Sequence, residues 1–198
     1  TVLRAVSFGQ TTSSAKALAL KSNAVMTINA NFFDENGKPL GLVVSQGIQQ
    51  QKIHQGGNTL TGVFFVTREN IGIVNRSNFQ SDLVIEAVQA GPRLLASGNK
   101  IKGLNKNEIR TRRSGVCVDK KKRLIFFITT GFMGITLHQL QEMILTPDIG
   151  CVDALNLDGG GSAQMYLDTQ HASGQSKIDN ITIHGSEPVP VMLALRQR

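Results

Sequence analysis

Short apolar runs, rich in Val, Ile, Leu and Phe and punctuated by Gly, Asn, Asp, Ser and Pro, recur along almost the whole of this 198-residue chain. TVLRAVSF, AVMTINANFF, GLVVS, TGVFFVT, IGIVN, DLVIEAVQA, CVDALNL, ITIHG and VPVMLAL all read as strands, and RSGVCVD-KKKR-LIFFITT reads as a hairpin with a solvated basic turn. Two stretches have helical character. TTSSAKALALKS places capping residues before an Ala/Leu-rich segment and predicts a helix from about Ser13 to Lys21. TLHQLQEMIL puts apolar residues at 137, 140, 144 and 145, with Thr136 as its cap. These patterns predict a strand-rich α+β fold: a single mixed domain over residues 1–198, with two principal helices packed on the sheet. No apolar run approaches the roughly 18 to 20 residues that span a bilayer, so no membrane span is expected.

One strand ends unusually. CVDALNL runs into Asp158, then Gly159, Gly160, Gly161 and Ser162. Three consecutive glycines cost chain entropy on folding, so something must need bare backbone there. Such a turn lets an anion or a sugar approach main-chain N–H groups, and a helix beginning near Ser162 would add its positive end. The competing reading is a tight turn whose Asp accepts backbone N–H bonds. Neither the Walker pattern nor G-x-G-x-x-G is present.

The net charge of +7 favours acidic partners. With no Trp and one Tyr, stacking platforms are scarce, and no nucleic-acid partner is expected. Cys117 and Cys151 lack C-x-x-C spacing, which argues against zinc. A disulfide and two thiols both remain open, with inert buried thiols the default for so commonly buried a residue type. His54, His138, His171 and His184 show no paired ligand spacing, and Asp34 in DENG reads as a turn, so no metal and no cofactor are expected.

NLDGGGSA at 156–163, QAGPRLL at 89–95, NANFFD at 29–34 and GITLHQL at 134–140 together resemble the phosphodiester glycosidase family, in that family's order and over roughly residues 24–195. The resemblance implies a mixed α/β fold, hydrolysis of a sugar 1-phosphodiester at the glycosidic C–O bond, and an exported, periplasmic or extracellular setting with a sugar-phosphate or glycan substrate, an N-acetylglucosamine-type sugar among the candidates. Asp158, Gly159, Gly160 and Ser162 match its signature, Asn29 its early block, and Gly91, Pro92 and Arg93 its middle block; RSGVCVD places the family's strand arginine at Arg113. Cys117 and Asn31 stand where Gly is usual, Gln139 where an acidic residue is common, and Glu187 where Arg before Pro is frequent.

The chemistry is coherent. A glycosidase acting on an ordinary acetal needs two carboxylates, because the alkoxide leaving group must be protonated. A phosphate monoester leaves as a weak base, so one carboxylate plus cationic donors suffices. Asp158 is assigned as base or nucleophile, Arg113 and Arg93 as phosphate clamps, and Gly159, Gly160, Gly161 and Ser162 as further donors. Arg93 has a competing role as a structural arginine bonding loop carbonyls. Glu86, in an apolar strand, is the candidate second acid, or else a solvent-facing residue. Asn29 is assigned to sugar hydroxyls, with loop-backbone bonding as its alternative. Gln89 and His184 are placed along the pocket. A phosphodiesterase cutting P–O and a non-catalytic carbohydrate- or phosphate-binding module are the alternative functions.

Overall fold

Strands this short and this apolar must bury one face against another layer. The computed structural model, which describes residues 2–7, 11–104, 109–170 and 179–197, sorts them into three five-stranded sheets rather than one. The first has the order β1 (Val2–Ser7), β15 (Val191–Arg196), β2 (Ala24–Asn29), β13 (Met165–Leu167) and β14 (Ile181–Ile183). The second runs β11 (Leu124–Ile128), β10 (Ser114–Asp119), β12 (Cys151–Asn156), β8 (Arg93–Ala96) and β9 (Asn99–Lys100). The third runs β4 (Ile48–Gln51), β3 (Val43–Ser45), β7 (Glu86–Ala90), β5 (Gly62–Val66) and β6 (Ile71–Asn75).

Neighbouring strands are antiparallel in all three sheets. The largest apolar cluster joins Ile28 and Leu193 of the first sheet, Val116 and Leu155 of the second, and Val43, Phe64 and Val88 of the third. Each such buried side chain contributes about 1.5–3 kcal/mol relative to exposure. The sheets therefore share a core, and strand content dominates the α+β description.

Both expected helices form. α1 (Ala15–Ser22) starts after Ser14, whose hydroxyl accepts from Ala17 N at 3.3 Å, and ends at Asn23 in the left-handed region, φ 50°. Its Ala15, Leu18 and Ala19 pack with Tyr166 and Met192. α2 (Leu137–Leu145) begins with a capping box: Gln139 N donates to Thr136 Oγ1 at 3.1 Å, and Thr136 N donates to Gln139 Oε1 at 3.0 Å. Gln139 thus does the capping work of an acidic residue. Gln141, buried, ties α2 to β8 by donating to Leu94 O at 2.8 Å and Ile101 O at 3.0 Å.

The default of two free thiols is corrected. Cys117 on β10 and Cys151 on β12 form a disulfide, because antiparallel pairing of those strands sets Asp119 against Cys151 and Cys117 against Ala154, with Cα atoms 5.8 Å apart. The basic turn at Lys120–Lys122 is solvent-exposed, and Asp119 caps it by accepting from Lys121 N and Arg123 N, each at 2.8 Å. Asp34 also sits in a turn, accepting from Asn36 N and Lys38 N. His171 lies outside the described residues.

Candidate active site

β12 leaves the second sheet at Asn156 and β13 enters the first at Met165, so Asp158–Ser162 is the crossing between two sheets. Three residues clamp its first residue. Asp158 N donates to Ala30 O at 3.0 Å, and Asp158 O accepts from Asn29 Nδ2 at 2.7 Å and from Ser114 Oγ at 2.8 Å. Asn29 also accepts from Gln164 N at 3.1 Å, so it holds both flanks of the crossing.

The glycines have separate reasons. A Cβ on Gly159 would lie 2.7 Å from Arg112 O, closer than any real Cβ contact, and Gly160 has φ +58°. The segment Gly160–Ser162 is one 3₁₀ turn, so the helix expected near Ser162 does not form and contributes no positive end. The chain needs the following residues as strand β13 instead. Three of the four expected N–H donors are already engaged. Gly159 N donates to Asp158 Oδ1 at 2.9 Å, Gly160 N to Arg112 O at 2.9 Å and Ser162 N to Gly159 O at 3.2 Å, so these N–H groups are taken by protein acceptors.

What the turn does present is a carboxyl. Asp158 is half-buried, and loss of solvent pushes its pKa up to about 6. Hydrogen bonds from Ser162 and Gly159 pull the other way, and the charge of Glu187 pushes it further up. Glu187 reaches the turn from the segment after β14: its Oε1 accepts from Ser162 Oγ at 2.8 Å, and Ser186 N donates to Gly161 O at 2.8 Å.

At the other end of the turn, the Arg113 side chain lies against Gly159, steadied by Ile135 O at 3.2 Å and Ile109 O at 2.9 Å. Arg113 lines a cavity of about 480 Å³ together with Phe32, Pro92, Leu137 and Asn156. A second cavity, about 460 Å³, is lined by Glu187, His184, Gln164 and Lys16. Arg112 staples the crossing from outside, donating to Ala163 O and His184 O, each at 2.7 Å.

Several expected site residues are drawn elsewhere. Glu86 is 1% exposed and fully engaged at the start of β7: Arg4 Nη1 and Ala5 N donate to it at 2.8 Å, and Gln46 N at 3.1 Å. It is a structural acid, and the opposite end of its strand is the one that leads to Gly91, the acceptor of the Asn156 amide. Arg93 pairs with Asp153 at 2.8 Å and donates to Ile73 O at 3.3 Å, linking β12 and β6, as its structural alternative has it. Gln89 is completely buried, with Oε1 accepting from Leu42 N and His54 N and Nε2 donating to His54 O and Leu60 O; it pins a loop instead of lining a pocket. Asn29 likewise commits its amide to the crossing rather than to a sugar. Arg112, Ser114 and Glu187 join the site without having been expected there. Arg112 and Ser114 flank the expected Arg113, and Glu187 comes from the segment after β14; no motif announces the contacts they make.

A family model described as phosphodiester glycosidase (NAGPA) matches residues 22–196. The uncharacterized protein YigE of Escherichia coli (strain K12) is 30% identical over 112 residues, which cover 52% of this chain and 44% of that protein, so the match spans less than half of its relative. Among solved structures, the catalytic domain of zebrafish N-acetylglucosamine-1-phosphodiester alpha-N-acetylglucosaminidase, auto-inhibited by its pro-peptide, superposes with a TM-score of 0.76 at 19% identity, covering 99% of this chain and 73% of that one. A hypothetical protein from Synechocystis gives 0.63 at 18% identity, over 98% and 56%. At such identities the two superpositions show a common fold. The family match runs from β2 to β15 and takes in every segment that meets at Asp158: the chain belongs to the phosphodiester glycosidase family.

Proposed function

We propose that this protein hydrolyses sugar 1-phosphodiesters at the glycosidic C–O bond, with Asp158 drawing the proton from the attacking water. The observation that carries this reading is the Asp158 carboxyl: half-buried, held on Gly159 N at 2.9 Å, and raised to about 6, where a base is mostly ionised at neutral pH yet still binds a proton well. As water adds to the anomeric carbon, the C–O bond breaks and its electron pair stays on a phosphate oxygen. Arg113, whose side chain lies against Gly159, supplies positive charge where that negative charge gathers. A weakly basic leaving group needs no second acid, which fits Glu86 being occupied elsewhere.

The name of the zebrafish enzyme makes N-acetylglucosamine 1-phosphodiesters the first substrates to try. An exported, oxidising setting is part of this proposal, supported by the Cys117–Cys151 bond. The test is release of free sugar from a panel of α- and β-sugar-1-phosphate diesters in ¹⁸O-labelled water. We expect label in the sugar, and a loss of about 100-fold or more in kcat for Asp158→Asn. Label in the phosphate would make the enzyme a phosphodiesterase. Equal rates in the two proteins would remove Asp158 as the base.

A further inference from the structure

Two arginines meet on one face of the first sheet. Arg4 on β1 stands opposite Ala194, and Arg196 lies two residues further along β15, so the pair are diagonal neighbours across antiparallel strands. Such positions are roughly 7–8 Å apart, within reach of long side chains. Like charges held that close repel. One carboxylate answers one of them. Glu86, 1% exposed, accepts from Arg4 Nη1 and Ala5 N, each at 2.8 Å, and from Gln46 N at 3.1 Å, which fixes Arg4 against the turn between β3 and β4. Arg196 has no such partner. Among the described residues no ion pair reaches it, and its Nε, closed off from solvent, meets no acceptor. A closed-off donor without an acceptor is rare in a folded protein.

Arg4 and Arg196 line a cavity of about 260 Å³ together with Ser7, Ser45, Gln46 and Gln50. Every polar residue on its wall carries a hydrogen-bond donor, and none is acidic. With Glu86 balancing Arg4, one positive charge is left over. The volume falls below the roughly 300–1,000 Å³ that encloses a drug-sized ligand, so the space suits a small oxyanion or one group of a longer molecule. We propose that this cavity is a phosphate-binding site, separate from the hydrolytic one. The planar fork of Arg196 takes two phosphate oxygens, and the amides and hydroxyls serve the others.

The separation follows from β2. Arg196 pairs with Ala24 at one end of that strand, and Asn29, which holds Asp158 O, is the other end. At about 3.4 Å per residue the two ends are roughly 17 Å apart. Occupancy therefore does not depend on Asp158 or on the hydrolytic reading. Arg4 and Gln46 also line a wider hollow of about 790 Å³, with Arg68 and Glu69 on its walls, so a phosphate carried on a longer chain has room to leave. The net charge of +7 draws such anions toward the molecule.

The test is an NMR titration of the ¹⁵N-labelled protein with inorganic phosphate at constant ionic strength, with chloride as the control. It follows the Arg196 Nε–Hε signal and, in the variants, the Ser45 and Gln46 amides. We expect a saturable shift with phosphate and none with chloride. Arg196→Gln should weaken binding by about 10-fold or more, since bonds to a charged group are lost. Arg196→Lys keeps the charge without the fork and should fall between. Arg196 is the residue to change, because removing Arg4 would leave Glu86 buried without its partner. A four-unit glycerol phosphate chain, which has no glycosidic bond to cut, separates the sources. Tighter binding per phosphate than the inorganic ion assigns the site to a phosphate-bearing chain, and equal affinity assigns it to the free ion. No saturation, or the same affinity in wild type and Arg196→Gln, would overturn the proposal whether or not any diester is turned over.

Discussion

A carboxyl that titrates near 6 rather than at its ordinary 3.8 binds its proton more tightly in the folded protein than in the unfolded chain. Between those values the folded state carries more protons, so this group's contribution to stability falls as pH rises through about 4 to 6 and stays low above. Asp158→Asn removes the ionisation but keeps an oxygen for Gly159 N. At pH 7 to 8 the variant should be more stable than wild type by about 2 kcal/mol, because each tenfold gain in proton affinity on folding is worth about 1.4 kcal/mol and the half-exposed carboxyl keeps part of its hydration. Near pH 4 the difference should vanish. Urea midpoints at several pH values check this, and a variant less stable than wild type at pH 8 would count against it. At this scale the sequence shows Asp158 clearly, because an ionisable residue closes a buried run just ahead of glycines. It does not distinguish Arg113 from Arg93 or show where Glu86 lies. What decides both is Asp153 beside Arg93 and Arg4 beside Glu86, partners drawn from remote segments.

At the level of elements, the crossing tolerates a side chain unequally along its length. Gly160 needs its left-handed conformation but has room, with Thr111 Oγ1 at 3.4 Å from a Cβ, so Gly160→Ala should cost about 1–2 kcal/mol. Gly159→Ala drives a Cβ into Arg112 O and must displace the segment carrying Arg113. Its thermal midpoint should fall below that of Gly160→Ala, and its kcat should fall with it. Equal behaviour of the two variants would contradict the close approach. The long strands, the hairpin at residues 114–128 and both helices are legible in advance because their periodicity or caps are local. β4, β8, β9 and β13 are two to four residues long, too short to carry a pattern, and form because a neighbouring strand offers them an edge.

For the molecule as a whole, the fold class is legible from strand content. The division into three sheets is not, since it depends on which edges meet. The disulfide is equally hidden, because register and not spacing brings Cys117 to Cys151. That bond closes a sequence separation of 34 and restrains the unfolded chain by about 3–4 kcal/mol. Reduction should lower the urea midpoint accordingly, and an unchanged midpoint after confirmed reduction would refute that contribution. Because β10 and β12 flank the approach to Asp158, activity should decline along the same curve as stability.

In the first sheet, β15 lies between β1 and β2. The strand carrying Asn29 therefore acquires one of its two neighbours only after residues 191–196 have been made. During synthesis on the ribosome, β2 must wait with an open edge until residues 191–196 emerge, and long-range pairing of this kind is slow to form. The clamp on Asp158 is then among the last things to be completed. A nascent chain that stops short of residue 191 should leave Asn29, and through it Asp158, without one of the supports of the finished sheet.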